Sequence, residues 1–298
     1  MSILSPLTLA SHQLSKKPRM LVVDDEPDNL DLLYRTFRRD FKVLRAESGV
    51  EALKVLSSEG EVAVIISDQR MPEMKGTEFL SRTVPEFPDT VRIILTGFTD
   101  VEDLVDAINA GQVYRYITKP WDPDELKHVV DRASETYDLI KQQNQELYRA
   151  EKQSKLMVTV GQLAAQAMEK DEALTFLADG FGQILNADAC TLLLTEGAAG
   201  HYGGAVEVDT VQACGLVKES IASQQFQTAL NLLPEGEPSG LYADGTKCHL
   251  VAPVVYHGTT LAAISLRWNT DYKTLDDVAT LLQSIAPQVA LSLKAAVL

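Results

Sequence analysis

Asp24, Asp25 and Glu26 stand side by side where the apolar run MLVV gives way to Pro27. Carboxylates that close raise one another's pKa, so positive charge belongs among them. Asp68 follows a second apolar run (VAVIIS, 62–67), Thr96 closes a third (VRIILT, 91–96) and Lys119 closes a fourth (YRYITK, 114–119). Clustered carboxylates suit a hard divalent ion, and Mg2+ takes oxygen ligands while bridging to phosphate. An Asp beside such an ion can attack a phosphoryl donor and become an aspartyl phosphate. An ammonium and a hydroxyl can hold the remaining phosphoryl oxygens. Asp68 is the nucleophile this chemistry selects. Taken singly, an acidic pair or a Lys-Pro step is ordinary loop sequence; four such features at four strand ends are not.

The elements that must position them follow from periodicity. Short apolar runs at 20–24, 41–46, 62–67, 91–96 and 114–119 are each followed by a segment of helical period. Continuous apolarity in the first, third and fourth predicts strands covered on both faces, hence a five-stranded parallel sheet in a doubly wound α/β domain. Asp28 or Asn29 is expected to cap the first helix, Ser48 the second, and Asp122 with Pro123 the last. The carboxyl ends of such strands share one edge, where ligands bind. Asp24, Asp25, Asp68, Thr96 and Lys119 are therefore expected to converge there.

The motifs VVDDEP, IISDQRMPEMKG, IILTGFTD and YRYITKPW stand in an order that resembles the receiver (CheY-like) domain of two-component response regulators, over about residues 18 to 140. The resemblance implies that Asp24, Asp25, Asp68 and the carbonyl of Arg70 hold Mg2+ and that a sensor histidine kinase supplies the phosphoryl group to Asp68. It also implies Thr96 as switch hydroxyl, Tyr116 as rotating aromatic, Lys119 as phosphate partner and Pro120 as the source of a cis peptide. Arg70 and Phe98 occupy the family's two positions that tune dephosphorylation.

From Leu126 a 3-4 spacing runs through Val129, Ala133, Ile140, Leu147, Ala150, Met157, Gly161, Ala164 and Met168, with polar Thr136, Gln143 and Ser154 between. This predicts a long helix and a weak parallel coiled coil, hence a homodimer. The stretch KLMVTVGQLAAQAMEKDEAL resembles the dimerisation helix of sensor histidine kinases, but Glu169 stands where that family has its phosphorylated His. No ATP-binding boxes follow, so no kinase activity is expected.

The remainder predicts a helix over 171–185, a strand ACTLLLTE, a strand-like GAVEVD, a helix over 211–223, a hairpin turning at His257-Gly258 and a closing helix over 275–296. This order resembles a GAF domain, a small α/β sensory module with an antiparallel sheet. The resemblance leaves its ligand open, including none. Cys190, Cys214 and Cys248 lack disulfide or zinc spacing, and His201, His249 and His257 lack metal-ligand spacing.

The domains expected are a disordered leader (1–17), a receiver domain (18–125), a signalling coiled-coil helix (126–168) and a GAF-like domain (169–298). The charge of −15 carries no basic block, which argues against direct nucleic-acid binding. No run reaches the roughly 20 apolar residues of a membrane span, and three cysteines without disulfide or zinc spacing lead to the expectation of a protein in reducing cytoplasm. The chain ends at Leu298, which is expected to leave no room for a cyclase, a phosphodiesterase or a helix-turn-helix. Together these readings describe a non-enzymatic, phosphorylation-dependent switch acting on a protein partner. The alternative is a ligand-sensing GAF protein that regulates an enzyme, with the receiver as modulatory input.

Overall fold

The computed structural model describes residues 17–97, 113–166, 168–204, 208–230, 245–270 and 275–296. The proposed leader, except Lys17, and Phe98 lie outside the described residues. The chain divides into two compact units, residues 1–144 and 145–298.

The first unit is built on five parallel strands: β1 (Arg19–Val23), β2 (Lys42–Ala46), β3 (Val64–Asp68), β4 (Val91–Thr96) and β5 (Arg115–Thr118). Their order is β2-β1-β3-β4-β5. Every residue of β3 and β4 is buried, as continuous apolarity requires of strands covered on both faces. Helices α1 (Pro27–Phe37), α2 (Gly49–Glu59) and α3 (Gly76–Thr83) alternate with the strands. Met20, Val22, Ile66 and Ile93 face a core shared with Leu30, Leu33 and Phe37 of α1. Leu21, Val23, Ile65 and Ile94 face the opposite core, with Ala52 and Leu56 of α2 and Phe79 of α3. Ser48 caps α2 as expected, accepting from the Glu51 N–H at 3.2 Å. The cap of α1 differs: Glu26 is the N-cap and Pro27 opens the helix, which leaves Asn29 in the first turn.

Helix α4 (Pro123–Ala165) runs for 43 residues. Asp122 begins it, its Oδ1 accepting from the Asp124 and Glu125 N–H groups at 2.9 and 3.0 Å. Leu126, Val129 and Ala133, the expected start of a seam, are instead buried with Val130 in the first unit's core. Farther on, Leu156, Val160 and Leu163 are buried in the second unit's core. The remaining seam positions include Leu147, 68% exposed, and Met157, 38% exposed. A hydrophobic spacing identifies a stripe; it does not say which neighbour covers it.

The second unit carries an antiparallel sheet ordered β7-β6-β10-β9-β8, made of β6 (Ala189–Leu194), β7 (Ala199–Tyr202), β8 (Gln227–Leu230), β9 (Cys248–Tyr256) and β10 (Thr259–Trp268). His257 and Gly258 join β9 to β10 with φ of 45° and 77°, the two positive values of a type I′ hairpin turn. One sheet face packs on α5 (Lys170–Ile184), α8 (Leu275–Ala296) and the end of α4. The other packs on α6 (Val208–Ala213) and α7 (Gly215–Ser223) through Val211, Cys214 and Val217. The helix expected over 211–223 is thus two helices meeting at Cys214; of the strand expected in GAVEVD, residues 205–207 lie outside the described residues. Among the described residues no helix is long and apolar enough to cross a membrane.

Candidate functional site

The buried strand β1 delivers Asp24 to the sheet's carboxyl edge with 0% of its surface exposed. Four hydrogen bonds reach its carboxylate. Oδ1 accepts from the Glu26 N–H at 2.9 Å and from Asn29 Nδ2 at 3.1 Å. Oδ2 accepts from Asn29 Nδ2 at 3.2 Å and from Lys119 Nζ at 3.0 Å. Lys119 Nζ also lies 2.5 Å from Asp68 Oδ1, and Asp68 Oδ2 accepts from the Arg70 N–H at 2.7 Å. One ammonium therefore serves two carboxylates from two strands. Lys119 is held in turn by its own N–H, which donates to the Thr96 carbonyl at 2.7 Å, and it precedes a cis peptide to Pro120.

The electrostatics follow from that sharing. Burial pushes the Asp68 carboxyl above its ordinary value; the bond and charge of Lys119 offset this only in part, and the nearby Asp24 charge adds to the rise. Burial also disfavours the Lys119 ammonium, yet its bonds to Asp68 and Asp24 outweigh this and hold it above the ordinary lysine value. An ion pair normally lowers the acid and raises the base. Here the acid rises too, because burial outweighs the effect of the ammonium and the Asp24 charge adds to it.

The loop after β3 is set by residues that sequence reasoning left without a role. Buried Gln69 accepts from the Thr77 N–H at 3.1 Å through Oε1, and its backbone carbonyl accepts from the Gly76 N–H at 3.0 Å. A Cβ on Gly76 would lie 2.1 Å from the Asp68 carbonyl oxygen, closer than real contacts allow. Only glycine lets the start of α3 close against the strand that carries Asp68. Asn29 is the other omission; a polar residue in a first helical turn reads as a cap, whereas its amide spans both Asp24 oxygens.

Three of the five residues expected to converge do so by direct contact: Asp24, Asp68 and Lys119. Asp25 is exposed beside them. Thr96 is buried with its Oγ1 donating to the Gly97 carbonyl at 3.1 Å. Tyr116 is 40% exposed on β5. Arg70 projects so that its Nη2 would lie 3.1 Å from a Cβ on Gly97, over the end of β4. Among the described residues no group of three or more His, Cys, Asp or Glu side chains is gathered as a metal cage. What the edge offers is an oxygen-only set, two carboxylates in contact with one cation and a third exposed beside them. Such donors fit Mg2+, which is held by one or two carboxylates together with water and phosphate rather than by an all-protein cage.

The pattern of the response regulator receiver domain matches residues 20–131. A chemotaxis protein CheY homolog of Campylobacter jejuni is 35% identical over 117 residues, 38% of this chain and 89% of that protein. The chain belongs to the response regulator receiver family. The match lies in its first unit, so that unit is a receiver domain. The hydrogenase transcriptional regulatory protein HoxA of Bradyrhizobium diazoefficiens is 42% identical over 130 residues, covering 43% of this chain and 26% of HoxA. This chain thus spans about a quarter of the length of that relative. The solved response regulator TrrA of Thermotoga maritima, in complex with Mg(2+)-BeF, is 31% identical, covering 39% of this chain and 98% of its own, with a TM-score of 0.35.

Proposed function

We propose that this receiver is a phosphorylation switch in which Asp68 accepts a phosphoryl group from a sensor histidine kinase and the change of state reaches a protein partner through the second unit. The observation that carries the reading is the single Lys119 ammonium shared by Asp24 and Asp68 at the carboxyl edge of a parallel sheet. Asp24, Asp25, Asp68 and the Arg70 carbonyl would hold Mg2+, which would offset carboxylate charge and polarise the donor. An Asp68 carboxylate oxygen attacks phosphorus, the bond from phosphorus to the donor imidazole nitrogen breaks, and that nitrogen leaves with the electron pair. The Lys119 ammonium then pairs with a phosphoryl oxygen, and the Thr96 hydroxyl turns from the Gly97 carbonyl toward another. Tyr116 follows Thr96 inward. Arg70, lying over Gly97, and Phe98 tune the lifetime by limiting water access.

The second unit, an antiparallel sheet between helical layers, resembles a GAF domain and serves as the output module; its ligand is undefined. The chain is a phosphoacceptor with autodephosphorylation rather than a kinase, cyclase or phosphodiesterase. It works in the cytoplasm without direct nucleic-acid contact, as a homodimer paired along exposed positions of α4.

The test is phosphoryl incorporation from acetyl phosphate into the full chain. Incorporation is expected to require Mg2+ and to be lost in Asp68→Ala, because the other carboxylate against Lys119, that of Asp24, is fully buried and both its oxygens are held by Glu26, Asn29 and Lys119. Undiminished labelling of the Asp68→Ala protein would remove Asp68 from this role.

A further inference from the structure

We infer that Asn29 is a positioning residue for metal loading of the phosphoacceptor site, acting through Asp24; the inference rests on the reading of that site given above. An ionised carboxylate has about four lone-pair positions. On Asp24 the Asn29 amide takes one on each oxygen, at 3.1 and 3.2 Å, so it fixes the plane of the group as well as its place. The other two contacts differ in kind. The Glu26 N–H holds Oδ1 alone, and Lys119 holds Oδ2 but is shared with Asp68.

With all four positions filled, a metal ion reaches Asp24 only where a contact yields, and Lys119, which has Asp68 as a second partner, is the one placed to move. Once it shifts, Oδ2 keeps only Asn29, and without Asn29 the carboxylate would pivot about a single backbone bond. The side-chain chemistry suits this task. A neutral amide donates hydrogen bonds without cancelling the charge that attracts Mg2+, whereas Lys or Arg would neutralise Asp24 and Asp would repel it. The local backbone suits it too: with Glu26 as the cap and Pro27 opening α1, the Asn29 N–H closes on the Glu26 carbonyl at 3.1 Å, holding its side chain over the end of β1. Partners that orient a ligating carboxylate typically change metal affinity by roughly 10- to 100-fold when removed.

The test is calorimetric titration of the full chain with MgCl2 and no phosphoryl donor, alongside thermal unfolding. Asn29→Ala is expected to bind Mg2+ roughly tenfold more weakly than the unaltered protein. Leu33→Val, which thins the core under the same helix, is expected to lower the unfolding temperature while leaving Mg2+ affinity within about twofold. Should Asn29→Ala not fold, Asn29→Ser, whose hydroxyl reaches one carboxylate oxygen at a time, is held to a loss of about threefold or more. Mg2+ affinity within about twofold in the folded Asn29 variant, or an equal loss in Leu33→Val, overturns the role of Asn29 while leaving the phosphoacceptor reading intact. Absence of Mg2+ binding in the unaltered protein overturns that reading and the inference with it.

Discussion

Mild acid should destabilise the second unit through one buried histidine. His249 on β9 is fully buried, its Nε2 2.8 Å from Ser265 Oγ, and it stands opposite Arg267 in the register with β10. Burial first, and the Arg267 charge second, pull its pKa from 6.5 down to about 3. Between those values the unfolded chain binds a proton that the folded chain refuses. Stability is therefore lost as pH falls through 6.5 and continues to fall until about pH 3. At pH 5, 1.5 units below the unfolded value, the loss is about 2 kcal/mol at 1.36 kcal/mol per unit. For a unit of this size that is a shift of roughly 4–8 °C in unfolding temperature. Scanning calorimetry of the full chain between pH 7 and 5 measures it, with near-UV circular dichroism of buried Trp268 marking the transition of this unit. His249→Gln, which keeps a polar group near Ser265 but does not titrate, should flatten the dependence by the same amount, whatever its stability at pH 7. Equal pH slopes in the two proteins would refute the reasoning.

Two further outcomes are expected. Gly76→Ala should destabilise the receiver by about 3 kcal/mol, because the added methyl meets backbone rather than a movable side chain; urea unfolding followed at Trp121 checks this, and a change under 1 kcal/mol would contradict the packing described. Replacing both Leu147 and Met157 by Glu should convert a dimer to a monomer by light scattering with helix content unchanged, since both are exposed on the proposed pairing face; an unaltered mass would place any pairing elsewhere.

How much was legible in the sequence depended on what each residue's pattern can encode. The buried strands β1, β3 and β4 were readable because both faces are covered and their apolar runs are unbroken. Asp24, Asp68 and Lys119 were readable because they end such runs. The contact of Lys119 with both carboxylates was less so: three acids in a row suggest a cation, and nothing local says that it comes from the chain itself, 95 residues away. Strand β8 has four residues of alternating partial exposure and no apolar run to announce it. The break at Cys214 carries no signal because helical period continues on both sides of it. The first turns of α4 read as a seam for a related reason. Leu126, Val129 and Ala133 have the spacing of a coiled coil, and a helix packed on its own sheet has the same spacing.

That last ambiguity bears on how a signal would travel. Helix α4 is not a slack tether at its start, since its first turns are part of the receiver's core. Just beyond that core Lys141 Nζ reaches Glu61 at 2.7 Å and Asp89 at 2.8 Å, and Asn144 Nδ2 donates to Asp89 at 2.8 Å. Glu61 and Asp89 precede β3 and β4, at the opposite ends of those strands from Asp68 and Thr96. Core packing and polar clasp hold the helix with very different strengths. Burying a Leu or Val side chain is worth about 1.5–3 kcal/mol, whereas a partly exposed ion pair contributes about 1 kcal/mol or less. A change of state that turned the helix as a rigid rod would have to disrupt the stronger set. A change that loosened the Lys141 clasp would disturb only the weaker one, leaving Leu126, Val129 and Ala133 in place. On the proposed relay along α4, the less costly route would therefore be a change in order or phase beginning near Lys141.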